Sequence, residues 1–135
     1  TLPLLTELCD AGKHVLLETS GERDIAQVDA RVHRIVDFKA PLSGECHRNR
    51  LQNIDALTLR DEVKLVLAGR EDYEWAKTFI RTHDLEARVG HVLLSCVFSQ
   101  LQPDKLVQWM LEDRLNVRFQ LQLHKYIWSP EKTGV

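Results

Sequence analysis

A chain of 135 residues, 44% hydrophobic and 28% charged, has the make-up of one globular domain able to bury roughly two-thirds of its unfolded surface. Its formal net charge is −2 and no basic run exceeds two residues, which leaves no basis for electrostatic capture of nucleic acid or of an acidic membrane. The longest apolar stretch, VLLSCVF, is far too short to span a bilayer, and no signal peptide is visible.

The first segment, TLPLLTELCDAG, puts Leu4, Leu5, Leu8 and Cys9 on one helical face, with Gly12 placed to end the helix. HVLLET is a short apolar run that suits a buried strand. Ser20 to Arg31 reads as turns with a short ordered piece. RIVDFKAP is a second strand, closed by Pro41. Pro41 to Asp61 is long and polar, with at most a short helix around Arg50–Leu57. EVKLVLAG is a third strand, followed by REDYEWAKTFIRTHDLE, where Trp75, Ala76, Phe79 and Ile80 form a helical stripe. GHVLLSCVF is a fourth strand, and QPDKLVQWMLEDRLN a helix with Pro103 at its first position. The chain closes with VRFQLQLHKYIW, a fifth strand. Val117, Phe119, Leu121 and Leu123 fall on its apolar face, and Arg118, Gln120, Gln122 and His124 on its polar one.

Five strands separated mostly by helices predict an α/β fold with a largely parallel sheet, in one domain over residues 1–135. In such folds ligands sit at the loops after strand C-termini, where both irregular connections lie. Glu18, Thr19, Ser20 and Gly21 end the first strand. They offer a carboxylate and two hydroxyls to a polar ligand, or else serve as turn residues. Asp37 and Lys39 share one face of the second strand and are paired, ligand-bound or at the sheet mouth. Pro41 to Gly44 then offers backbone N–H groups and the Ser43 hydroxyl. The closing strand's guanidinium, amides and imidazole are rigid, multi-pronged hydrogen-bonders suited to planar heterocycles and carboxylates. If the sheet curls towards a barrel, that face is an interior.

Other chemistries find no support. Cys9, Cys46 and Cys96 are odd in number and widely spaced, against a disulfide framework and for a reducing compartment. His14, His33, His47, His83 and His91 show no zinc-ligand spacing, and no phosphate-binding loop occurs. Ser95 lies inside an apolar strand without the context of a hydrolase nucleophile.

Taken in order, LLETSG, IVDFKAPLSGE, VKLVLAGREDYEWA, VLLSCVFSQLQPDKLVQWMLEDRL and VRFQLQLHKYIW resemble the C-terminal part of the 7-carboxy-7-deazaguanine synthases, radical S-adenosylmethionine enzymes of queuosine and deazapurine synthesis. The resemblance implies the C-terminal part of an incomplete TIM-like barrel in a cytoplasmic homodimer. It implies conversion of 6-carboxy-5,6,7,8-tetrahydropterin to 7-carboxy-7-deazaguanine with loss of ammonia. The implied cofactors are S-adenosylmethionine, a [4Fe–4S] cluster and Mg2+. It further implies Leu42, Ser43 and Gly44, with Glu18, Thr19 and Ser20, as cofactor contacts, and His124, Gln122, Lys39 and the Val135 carboxylate as pterin contacts. No residue here is assigned a catalytic role. The family's CxxxCxxC motif is expected upstream of Thr1, since the chain lacks an initiator Met and starts in a helix, so this chain alone is expected to be inactive. Cys96 stands where the family pattern leads one to expect proline, which points to packing. Two other readings remain open: another radical S-adenosylmethionine enzyme with a protein substrate, and a stand-alone binding domain. The expected partner is the small pterin, with no direct role for nucleic acid or membrane.

Overall fold

The computed structural model describes residues 1–121. Helix α1 (Leu2–Asp10) leads into strands β1 (Leu16–Ser20) and β2 (His33–Lys39). Two 3₁₀ turns, Pro41–Ser43 and Cys46–Arg48, and helix α2 (Asn53–Ala56) fill the next connection. Strand β3 (Glu62–Leu67), helices α3 (Arg70–Thr82) and α4 (Leu85–Arg88), strand β4 (His91–Cys96), helix α5 (Pro103–Asp113) and strand β5 (Arg118–Phe119) complete the described chain. No helix among these residues is long and apolar enough to cross a membrane.

The strands form one sheet in the order β1-β2-β3-β4-β5, and every pairing is parallel. In a parallel sheet whose order follows the sequence, crossovers of one hand all pass over the same face. The core obeys this. Val36 and Phe38 of β2, Val63, Leu65 and Leu67 of β3, and Val92, Leu94 and Cys96 of β4 pack with Leu5, Ala76, Phe79, Ile80, Leu106 and Met110 from the helices. The second face receives none of these helices. Its residues alternate with the core positions: Glu18 and Ser20 on β1, Ile35, Asp37 and Lys39 on β2, Glu62, Lys64 and Val66 on β3, Leu93 and Ser95 on β4, and Arg118 on β5.

Several expectations are corrected. The first strand is a sheet edge rather than buried: β1 pairs with β2 alone among the described strands, and Leu16 is 59% exposed. The helix expected through Glu86 stops at Thr82, because Asp84 takes a left-handed conformation (φ 51°) before α4 starts. The closing strand is paired over Arg118–Phe119, with the Gln120 N–H donating to the Leu94 carbonyl at 2.9 Å. Its alternation is correct: Val117 and Phe119 pack against the core, whereas Arg118 and Gln120 are exposed. Pro103 does occupy the first turn of α5.

Helices α3 and α5 are joined by a polar link. The Tyr73 hydroxyl donates to Asp113 Oδ2 at 2.6 Å and lies 2.9 Å from the Trp109 carbonyl, and Lys77 reaches Asp113 at 3.2 Å. Burial, reinforced by the Asp113 carboxylate, pushes the Tyr73 phenol well above its ordinary value, so it remains a donor throughout the neutral range.

Candidate functional site

The strand C-termini and their loops build the site. A groove of about 280 Å³ on the helix-free face is lined by Glu18, Thr19, Ser20, Ile35, Asp37 and Lys64. It therefore joins two segments singled out from sequence. Ser20 lies opposite Asp37 in register, and Asp37 opposite Lys64. Lys39 donates to Asp37 Oδ2 at 2.6 Å, so the two form an ion pair, both part-exposed, beside this groove. Thr19 falls in register with the core residue Val36, and its hydroxyl donates to the Ser20 carbonyl at 3.3 Å.

The Pro41–Gly44 turn departs from expectation in its polarity. Leu42 N–H is donated to Asp72 Oδ1 (2.9 Å), Ser43 N–H to the Ala40 carbonyl (3.1 Å) and Gly44 N–H to the Pro41 carbonyl (3.1 Å). The Ser43 hydroxyl donates to the Ala40 carbonyl (2.6 Å) and accepts Glu45 N–H (3.0 Å). The expected free N–H groups are thus consumed within the protein. Among the described residues no N–H is donated to the carbonyls of Leu42, Ser43 or Gly44, so the turn presents acceptors. Such a rim fits the amine or hydroxyl groups of a ligand better than its anionic groups.

Buried polar side chains hold this rim, and the sequence reading missed them. Asp72 is 1% exposed in the first turn of α3, and its Oδ2 also accepts Ala68 N–H at 2.8 Å. It thereby ties the loops after β2 and β3 together. Asn53, also 1% exposed, accepts Ile25 N–H (3.1 Å) and donates to the carbonyls of Arg23 (2.6 Å) and Gly21 (3.3 Å), fixing the turn after β1. Asn49 brackets Lys39 by accepting its N–H (2.8 Å) and donating to its carbonyl (2.9 Å).

Gly21 is required for space. A Cβ there would meet Phe38 Cδ1 at 2.8 Å and the Asp37 carbonyl at 3.2 Å. Phe38 is fully buried against Phe79, so its ring has little room to yield. Gly21→Ala is expected to lower stability by about 1–3 kcal/mol, the range for overpacking a filled core. Urea denaturation of the full-length protein checks this, and a change below about 0.5 kcal/mol contradicts it.

The described residues do not fit an iron–sulfur cluster. Cys9 and Cys96 are buried in the helix-side core and Cys46 sits apart on a rim turn. No group of three His, Cys, Asp or Glu side chains among them is placed to hold a metal ion. Burial, with the Asp104 carboxylate, pushes the Cys96 thiol up to about 11, which leaves it a neutral packing group. Gln122, His124 and Val135 lie outside the described residues.

These features define a parallel α/β unit with its helices on one face and a largely polar surface on the other. In sequence, the chain is 44% identical to the 7-carboxy-7-deazaguanine synthase of Koribacter versatilis, over 99% of this chain and 65% of that protein. It is 47% identical to the synthase of the same name from Chlorobaculum tepidum, over 100% of this chain and 62% of that protein. A third relative so named, from Leptospira interrogans, is 33% identical over 86% of this chain and 49% of its own length. The chain belongs to the 7-carboxy-7-deazaguanine synthase family, and it spans just under two-thirds of the length of the first two relatives. No family model and no solved structure matches it.

Proposed function

We propose that this chain forms the C-terminal part of a 7-carboxy-7-deazaguanine synthase, with its helix-free sheet face lining the lumen of a partial barrel. The observation that carries this reading is identity of 44–47% over essentially the whole chain to two proteins of that name. The reaction follows from the family resemblance: 6-carboxy-5,6,7,8-tetrahydropterin is converted to 7-carboxy-7-deazaguanine and ammonia. The chemistry that S-adenosylmethionine supplies when bound is hydrogen-atom abstraction from the pterin. The ligands of the [4Fe–4S] cluster come from outside the described residues, as does the Mg2+ site.

The chain's own residues bind and orient. The acceptor rim of Leu42, Ser43 and Gly44 faces donor groups of S-adenosylmethionine, with Glu18 and Ser20 on the neighbouring strand end. Thr19 acts from the opposite side through its hydrogen bond to the Ser20 carbonyl. Lys39, Gln122, His124 and the Val135 carboxylate are assigned to the pterin, to which we add Arg118 and Gln120 of the same polar face. An array of donors and acceptors on a sheet holds a flat heterocycle in one orientation and excludes water from it. The full-length protein is assigned to the cytoplasm as a homodimer, acting on this small molecule directly.

An anaerobic assay of the full-length gene product with the tetrahydropterin, S-adenosylmethionine, Mg2+ and a reductant tests the proposal. The expected result is 7-carboxy-7-deazaguanine with one equivalent of ammonia. A cluster-loaded protein that cleaves S-adenosylmethionine but leaves the pterin untouched contradicts it.

A further inference from the structure

At the N-terminal ends of β1 and β2 lies a pocket of about 650 Å³, a volume within the range of small-molecule sites. Strands of five and seven residues separate it from the Pro41–Gly44 turn by roughly 15–20 Å, at about 3.3 Å per residue. Lys13 and His14 before β1, Arg31 and His33 around the start of β2, and Arg60 just before β3 line it. No carboxylate among the described residues does so. The whole chain carries a net charge of −2, so this concentration of cations is local.

Which of these charges is free decides what the pocket can hold. Arg31 is partly engaged: its Nε donates to Asp29 Oδ1 (3.0 Å), and its Nη2 to Asp29 Oδ2 and Asp10 Oδ1 (2.8 Å each). Those bonds fix the guanidinium plane, and among the described residues its Nη1 has no acceptor. His33 Nε2 lies 3.5 Å from Glu62 Oε2. Lys13 and Arg60 have no carboxylate partner among the described residues. Arg60 Nη1 instead donates to the Arg31 carbonyl (3.3 Å), which holds the second guanidinium beside the first. Val15 and the exposed Leu16 add an apolar wall.

We propose that this pocket binds a small organic phosphate, with the phosphate group between Lys13 and Arg60 and the organic body against Val15 and Leu16. A guanidinium fork matches phosphate oxygens geometrically, and an ammonium adds a point charge. A phosphate monoester carries about two negative charges at neutral pH, against one for a carboxylate, and two uncompensated cations match it. A nucleic-acid strand requires a longer basic track than one pocket provides.

Calorimetry on the full-length protein tests this, with uridine 5′-monophosphate, uridine and inorganic phosphate as probes. Saturating S-adenosylmethionine keeps the nucleotide out of the proposed cofactor rim. The expected Kd for uridine 5′-monophosphate is below about 1 mM, with phosphate weaker and uridine weakest. Lys13→Gln and Arg60→Gln should each raise that Kd about 3- to 5-fold, since both cations are exposed and partly screened. Lys105→Gln, which removes an exposed cation from α5, should leave it unchanged. Absence of nucleotide binding by the wild-type protein overturns the inference, including where the rest of the full-length chain covers the pocket. So does a Kd that neither pocket variant moves, or one that Lys105→Gln raises equally. Inorganic phosphate binding as tightly as the nucleotide overturns the role given to Val15 and Leu16.

Discussion

Asp61→Ala is expected to destabilise the protein by about 3–5 kcal/mol, the range for removing one partner of a buried ion pair. Asp61 and Arg34 are 1% and 4% exposed. The guanidinium meets the carboxylate through two prongs, Nε to Oδ1 at 3.1 Å and Nη2 to Oδ2 at 2.6 Å. Arg34 also donates to the carbonyls of Ile25 (3.1 Å) and Ala56 (2.6 Å), while Asp61 accepts the N–H groups of Arg34 (3.1 Å) and Thr58 (2.9 Å). One pair therefore anchors β2 and both irregular connections. Alanine at 61 leaves a buried cation with carbonyl partners alone. An apolar double replacement should recover part of the loss and no more, since the Ile25 and Ala56 carbonyls would then lack their donor. Total stability of a domain is about 5–15 kcal/mol, so the single variant removes much of it. Chemical denaturation decides the matter, and a loss below about 1 kcal/mol contradicts the assignment.

The same pair gives a pH dependence. Burial alone would raise the Asp61 carboxyl, but the hydrogen bonds from Arg34 and Thr58 outweigh it and hold the group below 3.8. A depressed carboxylate contributes stability that is complete above its unfolded value and is lost as pH falls through the folded one. Unfolding free energy should therefore drop on acidification below about pH 3.8, and Asp61→Asn should flatten that limb. Equal acid limbs in wild type and variant would exclude Asp61 as the cause.

This clamp also explains the limits of the sequence reading. The strands were legible because apolar runs such as VKLVL reflect burial that neighbouring residues enforce locally. Alternation in VRFQ was legible for the same reason, and it correctly separated the core side from the polar side over residues 117–120, whereas Leu121 is exposed. Arg34 and Asp61 are 27 residues apart, Asn53 and Ile25 are 28 apart, and Asp72 and Leu42 are 30 apart. No local pattern announces such pairs. A charged residue at Arg34 breaks an apolar strand, and that break was the available signal. That β1 has a single neighbour among the described strands was illegible because strand order is a property of the sheet rather than of LLETS. Asp37 and Lys39 were grouped correctly, since residues two apart on a strand share a face. The polarity of the Pro41–Gly44 turn was misread because the Ala40 and Pro41 carbonyls take the N–H groups of Ser43 and Gly44, and a distant aspartate takes that of Leu42.

That aspartate carries the second large effect. Asp72→Ala removes the acceptor of two backbone donors, Leu42 N–H and Ala68 N–H. Both bonds are part-buried and water can replace the lost acceptor in part, so each is worth about 1–2 kcal/mol, which places the expected loss at roughly 2–4 kcal/mol. The variant also removes an acidic group from the first turn of α3, where the helix dipole favours it. Asp72→Asn separates the two bonds. Its amide oxygen still accepts one N–H, while its NH2 faces the other donor, so the loss should fall between wild type and alanine. In the proposed synthase, Asp72 is a positioning residue: it touches no ligand but decides that the turn presents carbonyls. Freeing Leu42 N–H puts a donor where the rim offers acceptors. Asp72→Ala, which frees Leu42 N–H whichever donor an asparagine oxygen would keep, is therefore expected to weaken S-adenosylmethionine about 10-fold in the full-length protein, with the pterin Kd unchanged. A general loosening would weaken both ligands alike, so the ratio of the two Kd changes separates the explanations. Equal changes would leave Asp72 a stabilising residue and reassign cofactor binding away from the Pro41–Gly44 turn.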